Sequence, residues 1–113
     1  MGYRFEAYEV TLELAAVLRP VLDQLARWDR DLADQTRRAA SSVVLNLAEG
    51  ARRTGRDRLH FYRIAAGSAA EVRAALAVAR AWGNLEPVAG VEALLDRVLA
   101  MLWRLTHGRR PRP

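Results

Sequence analysis

The chain has 113 residues, 51% of them hydrophobic, no cysteine, and a formal net charge of +5. That suffices for one modest core and is a folded composition, and the absence of cysteine excludes disulfide frameworks and thiolate metal sites. No apolar run reaches the roughly 18 residues of a membrane span, and the start lacks the basic and apolar segments of a signal peptide, so no membrane partner and a cytoplasmic location are expected.

Helix period runs through the chain, with no strand alternation. Tyr8, Leu12, Ala15, Leu18, Leu22 and Leu25 recur at threes and fours and predict a first helix over about 5–28. Pro20 lies within it, so a kink or a break into two pieces is expected there. Asp29 and Asp31 are N-cap candidates for a second helix that reaches about 53. Thr54 followed by Asp57 reads as an approximate capping box, Asp standing in for Glu, for a third helix that ends at Trp82 with Gly83 in its C-cap region. After the turn "NLEP" a fourth helix over about 87–106 carries Val91, Leu94, Leu95, Val98, Leu102 and Leu105 on one side, and Gly108 closes it. Four helices of similar length joined by short loops predict an all-α fold, an antiparallel up-down-up-down four-helix bundle over residues 1–108, followed by a basic Arg/Pro tail at 109–113.

All 18 basic residues are arginine. Seven of them, at 37, 38, 52, 53, 56, 58 and 63, lie in one segment against only Glu49 and Asp57, while the other 86 residues hold eleven charges of each sign. The tail adds Arg109, Arg110 and Arg112 without opposing acids. Arginine's planar fork suits phosphate, and counterion release drives such binding. Arg52, Arg53, Arg56 and Arg58, which flank the turn between helices 2 and 3, are therefore the candidate contacts for RNA or DNA, with help from Arg109, Arg110 and Arg112. The plainer reading of the same charges is a solvated helix surface.

If helices 2 and 3 form an antiparallel hairpin about Thr54, residues at equal height have numbers summing to roughly 108. Ala40 and Ser41 then lie level with Ser68 and Gly67, and small residues on both sides let the backbones approach. Arg37 and Arg38 come level with Glu71 and Val72, which predicts an ion pair between Glu71 and one of these arginines. Asn46 and Glu49 share a helical face three residues apart. Arg37, Arg38, Asn46, Glu49, Ser68 and Glu71 are accordingly expected to form a structural polar cluster that fixes register and helix ends.

The run "QTRRAASSVVLNLAEGARRTGRDRLHFYRIAAGSAAE", residues 35–71, resembles the core of a small bacterial four-helix-bundle family. That family includes proteins encoded within intervening sequences of 23S ribosomal RNA genes and accessory proteins of diversity-generating retroelements. The Asn-x-Ala-Glu-Gly and Gly-Ser-x-x-Glu pieces carry the likeness, and Asn46, Glu49, Ser68 and Glu71 fall on its signature positions. Val43 and Leu47 replace the usual isoleucines, and Thr36 is polar where leucine is common. The resemblance implies a ring-like homopentamer with basic surfaces and no established enzymatic reaction or cofactor. Its retroelement members imply an accessory subunit that binds nucleic acid beside a reverse transcriptase.

Three other readings compete. A di-iron bundle needs paired Glu-x-x-His motifs, and Asp57-x-x-His60 is a single imperfect copy. A metal-independent ribonuclease of the HEPN type places an arginine a few residues before a histidine, a spacing that Arg53 and His60 meet; His60 would then serve as general base. A scaffold or adaptor binding only protein would use an exposed apolar stripe. Leu99 and Trp103 fall about 90 to 130 degrees from the core stripe of helix 4 and are the candidate oligomer interface.

Overall fold

The computed structural model describes residues 5–107 as four helices: α1 (Glu6–Ala26), α2 (Arg30–Ala51), α3 (Gly55–Ala81) and α4 (Ala89–His107). The described residues contain no strand. Each helix packs on its neighbours in sequence, and α1 also packs on α4, so the antiparallel bundle closes.

Local chemistry sets each boundary. The Asp29 carboxylate accepts a 2.9 Å hydrogen bond from the Leu32 amide, making Asp29 the N-cap of α2, while Asp31 sits in the first turn. α1 runs through Pro20 as one element, so the break into two pieces does not occur. Pro20 and Ala16 are both exposed, which leaves the carbonyl that loses its helical partner open to water. The expected capping box at Thr54 is not formed. Thr54 has the extended backbone of an N-cap but no side-chain cap bond, and the Asp57 carboxylate lies 3.7 Å from the Arg53 guanidinium instead. α3 ends in a Schellman motif: the Asn84 amide donates to the Ala79 carbonyl at 2.9 Å, and the Gly83 amide donates to that of Arg80 at 3.0 Å. Gly83 takes φ +76°, the left-handed geometry this closure requires.

The core is a single apolar cluster whose fully enclosed members include Leu14, Leu18, Leu25, Leu47, Leu76, Leu95 and Leu102. On α1 the buried face runs through Val10, Leu14, Leu18, Val21 and Leu25, rotated from the stripe that periodicity suggests; Leu12 is 45% exposed. Thr36 tolerates full burial because its hydroxyl donates to the Leu32 carbonyl at 2.7 Å.

The α2–α3 hairpin has the expected register. The Ser42 and Ser68 hydroxyls meet at 2.8 Å, and the Gln35 amide donates to Glu71 at 3.2 Å. Buried Ala39 and Ala40 of α2 and Ala65 and Ala69 of α3 keep these helices close; Gly67 and Ser41 instead point outward. The closest approach is at Gly50. A Cβ there would lie 2.7 Å from the Tyr62 ring and 3.2 Å from the Arg58 carbonyl oxygen. This is the reason for a glycine at the end of "NLAEG": the ring of α3 occupies the space a side chain of α2 would need. On the opposite edge of α3, Arg73 pairs with Asp96 and Arg80 with Glu92, tying α3 to α4.

Candidate nucleic-acid interface

The α2–α3 turn brings together four of the sequence-predicted contacts, and they divide into two pairs. Arg53 and Arg58 are committed to the turn itself. The Arg53 Nε donates to Glu49 at 2.8 Å, its Nη1 lies 3.7 Å from Asp57, and its guanidinium stands over the Phe61 ring, 5.1 Å from the centroid. Arg58 reaches back to donate to the carbonyls of Gly50 and Ala51 at 3.2 and 3.3 Å, adding to the bond that the Gly50 carbonyl already accepts from the Arg53 amide at 3.0 Å and giving the Ala51 carbonyl a side-chain donor. A cation also suits that negative helix end.

Arg52 and Arg56 are left over. Arg52 has a side chain 77% exposed and a 3.5 Å approach to Glu49, whose other oxygen is already held by Arg53. Arg56 is exposed and makes no ion pair or hydrogen bond among the described residues. It stands in the first turn of α3, where the helix dipole disfavours a cation by about 0.3–1 kcal/mol. No ion pair or hydrogen bond of its side chain among the described residues offsets that cost. Every residue from 51 to 58 is exposed, so the corner is open to a large ligand. Gly55, at φ +58°, turns the chain sharply enough to set both helix ends side by side.

The expected polar cluster resolves into separate pieces. Asn46 donates to the Ser42 carbonyl and hydroxyl at 2.8 and 3.0 Å, and Ser42 meets Ser68, so these three form a bridge across the hairpin. Glu49 belongs to the turn. Glu71 does not pair with Arg37 or Arg38, contrary to the expectation. It accepts from Gln35, while Arg37 pairs with Asp34 one turn back at 2.6 Å. A partner in its own helix holds the long side chain without crossing the seam. Arg38 is exposed and makes no ion pair among the described residues.

Of the candidate interface residues on α4, Leu99 is half-buried against the core, and its burial is explained within one chain. Trp103 is 52% exposed and stacks on His107, ring centroids 4.2 Å apart and planes at 14°. Arg109, Arg110 and Arg112 lie outside the described residues. His60 is exposed, with its ring edge-on to Phe61. The described residues contain no group of three or more His, Asp or Glu placed to hold a metal ion, and none of their helices is long and apolar enough to cross a membrane. Sequence reasoning missed the second role of Arg58, which exists only once the turn has folded, and missed Gln35 as the partner of Glu71.

An all-helical bundle with a small-residue hairpin seam and an arginine-bearing turn is the class these observations define. Within it, residues 4–104 match the family described as 23S rRNA-intervening sequence protein, and the chain belongs to that family. No curated protein matches the chain.

Proposed function

We propose that this protein is a non-enzymatic homo-oligomer, a pentamer, that binds RNA or DNA through phosphate contacts without reading base sequence. The observation that carries this reading is Arg56, a cation unpaired among the described residues and in a helix position that disfavours it, beside Arg52 on an exposed and otherwise tied-down corner. A cation kept there against the helix dipole serves something other than stability. Symmetry repeats the corner and multiplies a weak contact into avidity. The groove between α1 and α2, about 270 Å³ and lined by Leu12, Ala15, Val44 and Leu45, supports self-association, since Leu12 and Leu45 are 45% and 66% exposed. A role beside a reverse transcriptase or another protein partner is consistent with this surface.

The ribonuclease reading loses support from the engagement of Arg53 with Glu49, Asp57 and Phe61, which leaves its guanidinium committed elsewhere. The adaptor reading is favoured by one feature, the exposure of Trp28 and Trp82 at the opposite end of the bundle. Electrophoretic mobility shift of labelled RNA and DNA at low salt, run beside light scattering, separates these readings. The expected outcome is a shift with both nucleic acids by a particle several times the 12.6 kDa chain mass. An oligomer that shifts neither would make the adaptor the better account, and cleavage of RNA lost in His60→Ala would make it a ribonuclease.

A further inference from the structure

We infer that copies of this chain assemble head to tail, the exposed Trp103 edge of one protomer entering the groove between α1 and α2 of the next. The inference rests on the self-association proposed above and adds to it the two surfaces that meet.

The helices pack in the cyclic order α1, α2, α3, α4, so the α1–α2 side of the bundle lies opposite the α3–α4 side. These two sides carry unlike apolar features. On the first is the groove of about 270 Å³ between Leu12 and Leu45, two leucines that the bundle's own core leaves 45% and 66% exposed. On the second is Trp103. It follows Glu92 and Asp96 by eleven and seven residues, which puts all three on one stripe of α4, and both acids pair with arginines of α3. Trp103 therefore stands on the edge of α4 that borders α3, where it is 52% exposed and stacked on the nearly parallel ring of His107. A tryptophan already held by a neighbouring ring loses little freedom on docking, and such aromatics are the usual anchors of an interface.

A hole on one side and a knob on the other make a heterologous contact, which forms a closed ring or an open filament according to whether it climbs. Leu45 lies three residues nearer the α2–α3 turn than Ser42, whose hydroxyl meets that of Ser68, and so stands level with about Ala65 of α3. Trp103 lies seven residues further in the same direction than Asp96, which pairs with Arg73, and so stands level with about Ala66. Hole and knob share a height to within about one helical turn. A contact between opposite sides at one height rotates each copy about an axis along the bundle without a climb, which is the condition for a ring.

Charge supports the same register. α2 and α4 run in the same direction, and Arg38 precedes Leu45 by seven residues as Asp96 precedes Trp103. When Trp103 reaches Leu45 of the next protomer, Asp96 therefore comes level with that protomer's Arg38. Arg38 is exposed and makes no ion pair or hydrogen bond among the described residues, while the Asp96 side chain is 68% exposed despite its contact with Arg73. A cation without an acid in its own chain meets a carboxylate with room for a second donor.

Two variants, each altered on one side, test this by light scattering. Leu45→Arg blocks the hole and Trp103→Ala removes the knob; both positions are exposed, so each variant should keep wild-type helicity by circular dichroism. At a concentration where wild type assembles, each alone should remain a single chain of 12.6 kDa, since losing an aromatic anchor weakens a contact by about thirtyfold or more. Mixed at high concentration, they should form a two-chain particle and nothing larger, because one intact knob meets one intact hole and the altered sides face outward. Arg38→Glu, which breaks no pair among the described residues of its own chain, should weaken assembly by roughly tenfold or more. A mixture that stays single-chained, or either variant assembling like wild type, would overturn the head-to-tail contact and leave self-association through another surface standing. Arg38→Glu assembling with wild-type affinity would overturn the register. Wild type that is itself a single chain would remove this inference and the self-association reading together.

Discussion

The two ends of the bundle solve the same problem with different materials. At the end that holds the α1–α2 and α3–α4 turns, helix termini are closed by Asp29 on the Leu32 amide and by the backbone bonds of the Schellman motif. What remains exposed there is Trp28 and Trp82, each 68% accessible. At the α2–α3 end the Arg58 side chain joins the backbone amides of Arg52 and Arg53 in closing the last carbonyls of α2, and the turn is braced by Arg53 between Glu49 and Asp57. The side chains of two further arginines, Arg52 and Arg56, reach none of these carbonyls; Arg52 makes only a 3.5 Å approach to Glu49. The contrast separates arginines that build the turn from arginines available to a ligand, a distinction that charge counting along the chain does not make.

The largest expected effect breaks the basic end by packing rather than by charge. Gly50→Ala puts a methyl group against Tyr62 and the backbone of α3, and should destabilise the protein by about 1–3 kcal/mol in urea unfolding. An unchanged midpoint would mean that the seam is looser than its geometry. Next comes Arg58→Gln, which removes the carbonyl cap of α2 and should lower stability by about 0.5–1.5 kcal/mol. Adding Arg52→Gln and Arg56→Gln to that variant should cost no further stability. The smallest expected effect is at the other end: Trp28→Gln with Trp82→Gln should leave nucleic-acid affinity within about twofold of wild type, as these side chains stand a bundle length from the basic corner. A larger drop would mean that the two ends act together.

The fold was largely legible in the sequence because its period, turn residues and hairpin centre agree. The axis about Thr54 anticipated the meeting of α2 and α3 that Ser42 and Ser68 display at 2.8 Å. What escaped was set by choices among near-equal neighbours. Glu71 had Gln35, Arg37 and Arg38 within a turn of its level, and periodicity cannot say that Arg37 would turn to Asp34 in its own helix. The face of α1 was misjudged because Leu12 continues the apolar period yet lies outside the core. Thr54 and Asp57 have the spacing of a capping box, but Arg53 offers Asp57 an opposite charge, and no cap bond from Thr54 forms. For the site, the sequence placed the arginines on one turn; their separation into structural and available pairs depends on where each guanidinium points after folding.

That separation is tested most directly by salt titration of binding, wild type against Arg52→Gln/Arg56→Gln, with fluorescence anisotropy of a labelled oligonucleotide and a thermal melt of each protein. The account predicts a variant that melts no lower than the wild type, and slightly higher where removal of the Arg56 cation relieves the α3 dipole. It also predicts that the slope of log affinity against log salt becomes shallower in the variant by about 0.7–0.9 for each phosphate that is no longer neutralised. A variant that melts like the wild type and also keeps its affinity and slope would contradict the claim that this corner holds the nucleic acid.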